Sequence, residues 1–476
     1  MTSASRITWP PTLALGLCLL VCAGCGRHES PQPPALVLDI RPGADGSNPG
    51  GFAALNGIVY FEADDGVHGA ELWRSDGTAV GTWLVCDVAP GPASSYPWQL
   101  TTHGGQLYFA ADDGVHGKEL WVSDGTAAGT HLFFDAAPGA AEGYPTDLAS
   151  LNGLLYFNVR APAPRPGAWR TDGSATGTIP LAELGAGETS ALASNFVSAP
   201  TIGAVFFTRD SVLASTDPFC CTREELWRTD GTRAGTRRVA AFPPQSGVFV
   251  IDWIGYLVEL PPRLLFFETE ELWSSDGSPE GTQRVAAGFY PFGGSHGVYS
   301  RGIGAPTVFN GRLWFAAIPG SLDHRELWVT DGTPSGTQRA SDLSVGTSYS
   351  PSTLAVMGGQ LYFLAVDDAQ AGGLFRTAGG TQPLTAPERV KTLTTGLGAS
   401  MGWAGELVVA GDALVFDLDS SRELWWSDGT PEGTQRLIGG FDPSAGPLQL
   451  TVVGRRVFFR AQTAAAGAEL WVLNLD

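Results

Sequence analysis

The sequence predicts an all-β protein: a β-propeller of nine blades, each a four-stranded antiparallel sheet, with eight blades as the alternative. Three observations predict this fold. One motif recurs nine times at spacings of 46 to 58 residues, and such a period indicates one structural unit copied in series. Each copy holds four short apolar runs rich in β-branched and aromatic residues, which is the signature of strands. Asp-Gly, Asn-Gly and Pro-Gly pairs separate the runs and are typical of tight turns.

The repeated motif is Glu-Leu-Trp-x-Ser-Asp-Gly-Thr-x-x-Gly-Thr or a worn copy of it. A large aromatic side chain at one place in every unit is suited to filling the gap between adjacent sheets. We therefore expect nine structural inter-blade residues. They are Trp73, Trp121, Trp169, Trp227, Trp273, Trp328, Phe375, Trp425 and Trp471.

Two further signatures complete the four strands of a unit. About 12 residues before the anchor lies an apolar run such as Leu55-Asn-Gly-Ile-Val-Tyr-Phe61, and after it lies a run such as Leu84-Val-Cys-Asp87. Asp-Asp-Gly at 64–66 separates the Tyr-Phe strand from the Glu-Leu-Trp strand, and Ser-Asp-Gly-Thr at 75–78 follows the Trp. Four antiparallel strands repeated in this way match a propeller blade.

The two ends of the repeat region bear on how the ring closes. Leu36-Val-Leu-Asp39 matches Leu84-Val-Cys-Asp87, so the chain enters on the strand that ends a unit and leaves on the Glu-Leu-Trp strand at Glu469–Trp471. We expect the entering strand to be the outer strand of the last blade, which would join both ends of the chain in one sheet. The alternative places it as the inner strand of blade one.

The motif resembles that of the ELWxxDGT-repeat proteins, a bacterial family of secreted or surface propeller-like chains, over residues 36–476. The unit is also similar to kelch blades, and Ala63-x-Asp65-x-x-x-Gly69-x-x-x-Trp73 resembles the tryptophan-docking motif of quinoprotein propellers. None of these resemblances implies a catalytic residue, and the first family has no established biochemical activity. Unit seven departs from the pattern, with Gly373-Leu-Phe375 in place of Glu-Leu-Trp.

The first residues are typical of an export signal. Arg6 precedes an apolar run from Leu13 to Cys22, followed by Ala-Gly-Cys25, which resembles a bacterial lipobox. We expect residues 1–24 to be a lipoprotein-type signal peptide, Cys25 to carry the lipid, residues 25–35 to form a Pro-rich tether, and residues 36–476 to form one propeller domain. The chain would then be a cell-envelope lipoprotein of the outer membrane or cell surface, held by its lipid alone; ordinary cleavage and secretion is the alternative.

Composition limits the partners. The net charge is −20, from 48 acidic and 28 basic residues, which argues against nucleic acid and anionic lipid. We expect a monomer whose partner is an envelope protein or a glycan. Cys86, Cys220 and Cys221 remain after the signal and the lipid site; Cys86 suits a strand position, and the adjacent pair lies in an insertion.

No residue pattern predicts catalysis or a metal. Gly293-Gly-Ser295-His-Gly297 matches the Gly-x-Ser-x-Gly spacing of hydrolases, but no strand-to-helix elbow surrounds it. The Asp-Asp-Gly-Val-His turns ending at His68 and His116 have carboxylates that would suit Ca²⁺, although hairpin turns explain them better. We therefore predict no cofactor, with Ca²⁺ kept as the alternative.

The segments that break the repeat are the candidates for binding. Residues 288–301 form a Gly-rich stretch with aromatic side chains suited to stacking on sugars or peptides. The candidate ligand-binding loop contains Phe289, Tyr290, Phe292, His296 and Tyr299. The sequence thus favours an exported surface scaffold that binds a protein or glycan through propeller-face loops; the alternative is a quinoprotein-like or glycan-cleaving propeller enzyme.

Overall fold

Nine four-stranded antiparallel sheets follow one another in the computed structural model, and the prediction of nine blades is confirmed. The alternative of eight blades is wrong. The structure describes residues 31–160, 165–182, 188–213, 222–242, 254–268, 270–290, 306–319, 326–340, 351–366, 371–377, 387–393, 404–418, 423–438, 441 and 446–476. These residues contain no helix. The residues from Pro31 onwards form one compact unit, and residues 1–30, with Cys25, lie outside the described part of the chain.

The strands follow the repeat. The chain begins with Ala35–Leu38 (β1), and blades one to three are Gly50–Leu55 (β2), Ile58–Asp64 (β3), Ala70–Ser75 (β4), Trp83–Cys86 (β5), Trp98–His103 (β6), Gln106–Asp112 (β7), Lys118–Ser123 (β8), His131–Phe134 (β9), Thr146–Leu151 (β10), Leu154–Val159 (β11), Gly167–Thr171 (β12) and Ile179–Ala182 (β13). Blades four and five are Glu188–Ala199 (β14), Ala204–Leu213 (β15), Thr222–Thr229 (β16), Arg237–Phe242 (β17), Ile254–Leu260 (β18), Arg263–Glu268 (β19), Glu271–Ser275 (β20) and Gln283–Ala287 (β21). Blades six and seven are Phe289–Tyr290 (β22), Thr307–Phe309 (β23), Arg312–Pro319 (β24), Glu326–Thr330 (β25), Gln338–Arg339 (β26), Ser352–Met357 (β27), Gln360–Val366 (β28), Gly372–Thr377 (β29) and Glu388–Thr392 (β30). Blades eight and nine are Ala404–Ala410 (β31), Ala413–Leu418 (β32), Glu423–Ser427 (β33), Gln435–Ile438 (β34), Leu448–Val453 (β35), Arg456–Thr463 (β36) and Gly467–Asn474 (β37).

The first strand of each blade lies at the centre of the ring. Neighbouring first strands contact one another, as β2 does with β6 on one side and with β35 on the other. In blade six this inner position is divided, because β22 and β23 both pair with β24. The described strands β22 and β23 lie on either side, in sequence, of the irregular segment predicted before blade six.

The ring closes by the predicted clasp. Strand β1 pairs antiparallel with β37, placing Leu36 opposite Trp471, so the last blade takes its outer strand from the start of the chain. The alternative, with β1 as the inner strand of blade one, is wrong.

One apolar core fills each gap between neighbouring blades. The core between blades one and two joins Tyr60 and Leu72 of one sheet to Phe109 and Trp121 of the next. All nine anchor aromatics lie in such a core, each against the blade that precedes its own. Burial of rings this large is the main apolar contribution to holding the sheets together.

The two faces of the ring carry different turns. Because successive strands are antiparallel, the connection into a blade and the turn between its second and third strands lie on one face, here named the entry face. Residues 87–97 and 65–69 are examples. The other two turns of each blade lie on the opposite face.

The Ser-Asp-Gly-Thr turn on the opposite face satisfies its own polar groups. Asp76 accepts hydrogen bonds from the backbone N–H and hydroxyl of Thr78, and Thr82 donates its hydroxyl to the Thr78 carbonyl. The two hydrogen bonds from Thr78 lower the pKa of Asp76. The repeated Asp and Thr residues therefore fix a turn, as their spacing predicts.

Candidate functional site: an aromatic cluster on the entry face

The glutamate of the repeated motif holds the connection to the next blade. Glu71 is fully buried and accepts hydrogen bonds from the backbone N–H groups of Val88, Ala89 and Ser95 at 3.0, 3.3 and 3.0 Å. The Ser95 hydroxyl donates a fourth at 2.6 Å. Burial raises the pKa of Glu71, and the hydrogen bonds from Ser95 and the backbone partly offset that rise. One carboxylate thus fixes the loop that leads from blade one into blade two.

The same arrangement occurs on both sides of blade one. Glu119 holds the next connection through the N–H groups of Ala136, Ala137 and Gly143, and burial raises its pKa to about 7. In the last blade Glu469 accepts hydrogen bonds from Ser47 and from the N–H groups of residues 40 and 41. This buried carboxylate therefore holds the first residues of the ring to the last blade, in addition to the pairing of β1 with β37.

In blades four, five and eight the motif glutamate has a different partner. Glu225, Glu271 and Glu423 each pair with an arginine 13 residues further on, at 2.5 to 2.7 Å. Each also accepts a hydrogen bond from the indole N–H of its own motif tryptophan. These arginines lie directly opposite the tryptophan in register, where blades one and two have leucine. The glutamate therefore has an arginine partner in blades where the outer strand places arginine, and not leucine, opposite the tryptophan.

The held connections end in residues of unusual backbone conformation. Asn48, Tyr96 and Tyr144 occupy equivalent positions, each before a proline, and have φ of +51°, +48° and +47°. Asn tolerates this left-handed region, whereas a bulky L-residue adopts it at a cost of about 1–2 kcal/mol. Backbone bonds maintain it: the Tyr96 N–H donates to the Ala70 carbonyl at 3.2 Å, and the Tyr144 N–H donates to the Lys118 carbonyl at 2.9 Å. Two tyrosines are thus kept where an asparagine would fit with less strain.

These tyrosines belong to an aromatic cluster, defined here as Tyr96, Trp98 and Tyr144 with the cations Lys118 and Arg160. Trp98 meets Tyr144 edge to face at 5.8 Å. The Lys118 ammonium lies 5.8, 5.9 and 5.6 Å from the ring centres of Tyr96, Trp98 and Tyr144. Arg160 lies 5.0 Å from the Tyr144 centre. Three rings and two cations therefore form one surface.

This surface is open to solvent. Tyr96 is 57% and Trp98 41% exposed, Tyr144 is half-buried, and Arg160 is exposed. Within the described residues, neither Lys118 nor Arg160 has a carboxylate at ion-pair distance. The cluster can offer aromatic faces and N–H donors to the same ligand.

Partly buried carboxylates lie beside the cluster. Burial raises the pKa of Glu62, and the charge of Lys118 partly offsets that rise. Burial also raises the pKa of Asp147, against the effects of Thr146 and Arg160. For Asp210, burial and the charge of Asp147 raise the pKa to about 6. Acceptors and donors are therefore mixed around the rings.

The predicted ligand loop lies elsewhere, and only part of it is described. Phe289 is 3% exposed and packs against Phe315 and Trp328 at 5.6 and 4.8 Å, so its ring belongs to the blade core and is closed to a ligand. Tyr290 ends β22. The rest of the predicted loop lies outside the described residues, namely Phe292, His296 and Tyr299, as does Ser295.

The other singled-out residues have local partners or lie outside the described chain. His68 Nδ1 lies 2.7 Å from Asp65, and this hydrogen bond raises the His68 pKa; His116 and Asp113 repeat the pair. Cys86 is partly buried and unbonded to sulfur; the Cys220–Cys221 pair is not among the described residues.

Neither a metal-binding group nor a membrane-spanning helix occurs among the described residues. No group of three or more His, Cys, Asp or Glu side chains there has the arrangement of a metal site. None of the described segments forms an apolar helix of membrane-spanning length.

The sequence did not predict the aromatic cluster, because the binding residues were expected in segments that interrupt the repeat. The cluster lies in blades two and three, where the spacing of the repeat is regular. A signal was present: Tyr-Pro occurs at 96–97 and again at 144–145, where blade one has Asn-Pro. What the sequence does not contain is the left-handed backbone, which turns these side chains onto the entry face.

Comparisons with known proteins add the following. No protein-family model matches the chain, and no curated protein matches it. Among solved structures, a puromycin hydrolase is 16% identical, with a TM-score of 0.37, and the match covers 82% of this chain and 62% of that chain. The β-propeller domain of the Trilobed protease from Pyrococcus furiosus is 12% identical, with a TM-score of 0.37, over 83% of this chain and 99% of that domain. This chain thus spans less than two thirds of the length of the puromycin hydrolase.

Proposed function

We propose that this chain is an exported, lipid-anchored propeller of the ELWxxDGT-repeat type that binds a protein or glycan of the cell envelope through its entry face. Cys25 would carry the lipid, and the Pro-rich residues up to 35 would tether the ring. The observation that carries the binding function is the exposed aromatic cluster held by Tyr96 and Tyr144 in a costly backbone conformation. The turn has a left-handed φ in all three blades, and Asn48 shows that a residue with less strain serves it, so tyrosine at positions 96 and 144 favours a role in recognition.

The chain offers a matched control for this proposal. Trp83 is 44% exposed and lies under the Arg74 guanidinium at 4.4 Å, but it begins an outer strand and so lies towards the opposite face. Trp98→Ala and Trp83→Ala each remove one exposed tryptophan with a nearby cation. Only the first removes part of the aromatic cluster.

The test is retention of envelope material by the immobilised full chain. We expect the wild-type and Trp83→Ala proteins to retain the same carbohydrate or protein, and Trp98→Ala to lose it. Equal retention by all three would overturn the proposal that the entry face binds. Labelling of cells with radioactive palmitate tests the anchor separately: label should enter the wild-type chain and be absent from Cys25→Ala.

One observation favours a second candidate, a glycan-cleaving enzyme. Burial and the charge of Asp147 raise the pKa of Asp210 to about 6, which suits a general acid beside a second carboxylate. The test is release of reducing ends from envelope glycans. Asp210→Asn should abolish release if this function is correct, and absence of release by the wild-type protein would eliminate it.

A further inference from the structure

The aromatic cluster has the chemistry of a particular ligand class. The faces of tryptophan and tyrosine rings carry partial negative charge and are apolar. A pyranose ring presents C–H groups of slight positive charge on its faces and hydroxyls around its edge. Two exposed rings, Tyr96 and Trp98, with a third ring edge-on to Trp98, offer adjacent stacking surfaces that suit more than one sugar of an oligosaccharide.

The polar groups of the cluster complement hydroxyls better than charges. Lys118 and Arg160 are donors only, and Glu62 and Asp147 are acceptors whose protonation responds to those same two cations. The two cations thus lie among carboxylates, so the cluster presents donors and acceptors side by side. Vicinal hydroxyls, which both donate and accept, can use both kinds of group.

Two other ligand classes fit less well. The chain as a whole carries a net charge of −20, so its field repels an acidic polymer. A cationic ligand would compete with Lys118, whose ammonium already lies among the three rings.

We propose that the aromatic cluster of blades two and three is a binding site for a neutral, hydroxyl-rich glycan, whose sugar rings stack on Tyr96 and Trp98 and whose hydroxyls bond to Lys118 and Arg160. This inference rests on the proposed function and narrows it from protein or glycan to one class of glycan. It also gives the strained tyrosines their task, because the left-handed backbone sets the stacking surface.

The experiment measures binding of the full chain to defined polymers by isothermal titration calorimetry. Neutral probes are β-glucan, mannan and xylan oligosaccharides, and acidic probes are polygalacturonate and alginate oligosaccharides. We expect at least one neutral probe to bind and the acidic probes to bind at least about tenfold more weakly. Affinity for the neutral probe should be the same at low and high salt, because no net charge is exchanged.

The variants separate this site from the rest of the surface. Trp98→Ala should weaken binding of the neutral probe about tenfold or more, and Trp83→Ala should leave it within about twofold. The double variant Tyr96→Asn, Tyr144→Asn keeps residues that tolerate the backbone conformation, and it should lose binding while the ring stays folded by circular dichroism.

Three outcomes overturn the inference. Acidic probes could bind as well as neutral ones, or no glycan could bind, or neutral binding could survive Trp98→Ala. If no glycan binds but an envelope protein is retained and is lost with Trp98→Ala, the glycan inference fails while the proposed scaffold function stands. If neither glycan nor protein depends on Trp98, both fail.

Discussion

Removal of the buried motif glutamate of blade two should open the connection to blade three. In Glu119→Ala the backbone N–H groups of Ala136, Ala137 and Gly143 lose their acceptor, the Glu119 carboxylate. A buried amide without a partner costs roughly 1–3 kcal/mol, and loss of the Cγ methylene group removes about 0.8 kcal/mol more. At pH 5, below the folded pKa of about 7, the wild-type chain carries no buried charge at Glu119, and we expect the variant to lose on the order of 5 kcal/mol of local stability relative to it.

A graded variant and a matched control test the cause. Glu119→Gln retains one oxygen, enough for the Ala137 and Gly143 amides, but it turns an NH₂ group towards the Ala136 N–H, so we expect a loss of about 1–3 kcal/mol. Glu423→Ala removes the same motif residue from blade eight. There the carboxylate is 16% exposed and its partner Arg436 is 58% exposed, and such pairs contribute about 0–1 kcal/mol. Loss of the hydrogen bond from the Trp425 indole N–H adds about 1 kcal/mol.

Hydrogen exchange read by mass spectrometry is the assay, because it reports local opening. Peptides covering residues 135–144 should exchange at least about a hundredfold faster in Glu119→Ala than in the wild-type chain, and peptides of blade eight should not change. The reasoning is that the backbone amides left without an acceptor, and not the loss of a motif glutamate as such, determine the cost. Unchanged exchange over residues 135–144 in Glu119→Ala, or an equal increase in exchange in blade eight of Glu423→Ala, would refute it.

Four further outcomes are expected. Because the folded pKa of Glu119 is about 7 against an ordinary 4.5, the folded state binds the extra proton, so unfolding free energy should fall as pH rises from about 4.5 to 7, by at most about 1.4 kcal/mol per unit; denaturant titrations should show this slope reduced in Glu119→Gln. Trp121→Ala empties a buried position between blades and should cost about 3–5 kcal/mol in the same titrations. Tyr96→Asn removes backbone strain and should raise the melting temperature or leave it unchanged, and a clear fall would contradict the strain argument. Ser47→Ala removes one hydroxyl donor to Glu469 and should lower thermal stability by about 1 kcal/mol, an effect that limited proteolysis near residues 35–48 can locate.

Much of the architecture was predictable because the scaffold is repeated. Nine copies of one motif determine the number of blades, and the match between Leu36–Asp39 and Leu84–Asp87 predicts the clasp that β1 and β37 form. Comparison of the copies within the chain identifies a residue required in every blade as structural, because it recurs. The motif glutamate is the exception, since one residue type serves two roles. Glu71 accepts hydrogen bonds from the backbone, and Glu271 pairs with an arginine. The residue that differs between these two blades lies opposite the tryptophan in the outer strand, outside the motif.

The candidate site was less predictable, for a conformational reason. The sequence predicts the irregular segment 288–301 as a binding loop, yet the Phe289 side chain in it is packed into a core. Tyr96 and Tyr144 interrupt nothing in the repeat. Their positions become informative only with the sign of φ, which depends on the held connection before them and not on their own residue type.

The clasp imposes an order on the making of this protein. Leu36 pairs with Trp471, so β1 is synthesised long before the strand that becomes its partner. Contacts so distant in sequence form slowly because a very long loop must close first. Until then β1 and the unfinished ninth sheet each present an unpaired edge, and such edges promote association between chains. A chain that stops before β37 would therefore leave β1 without its partner, and only the final strand closes the ring.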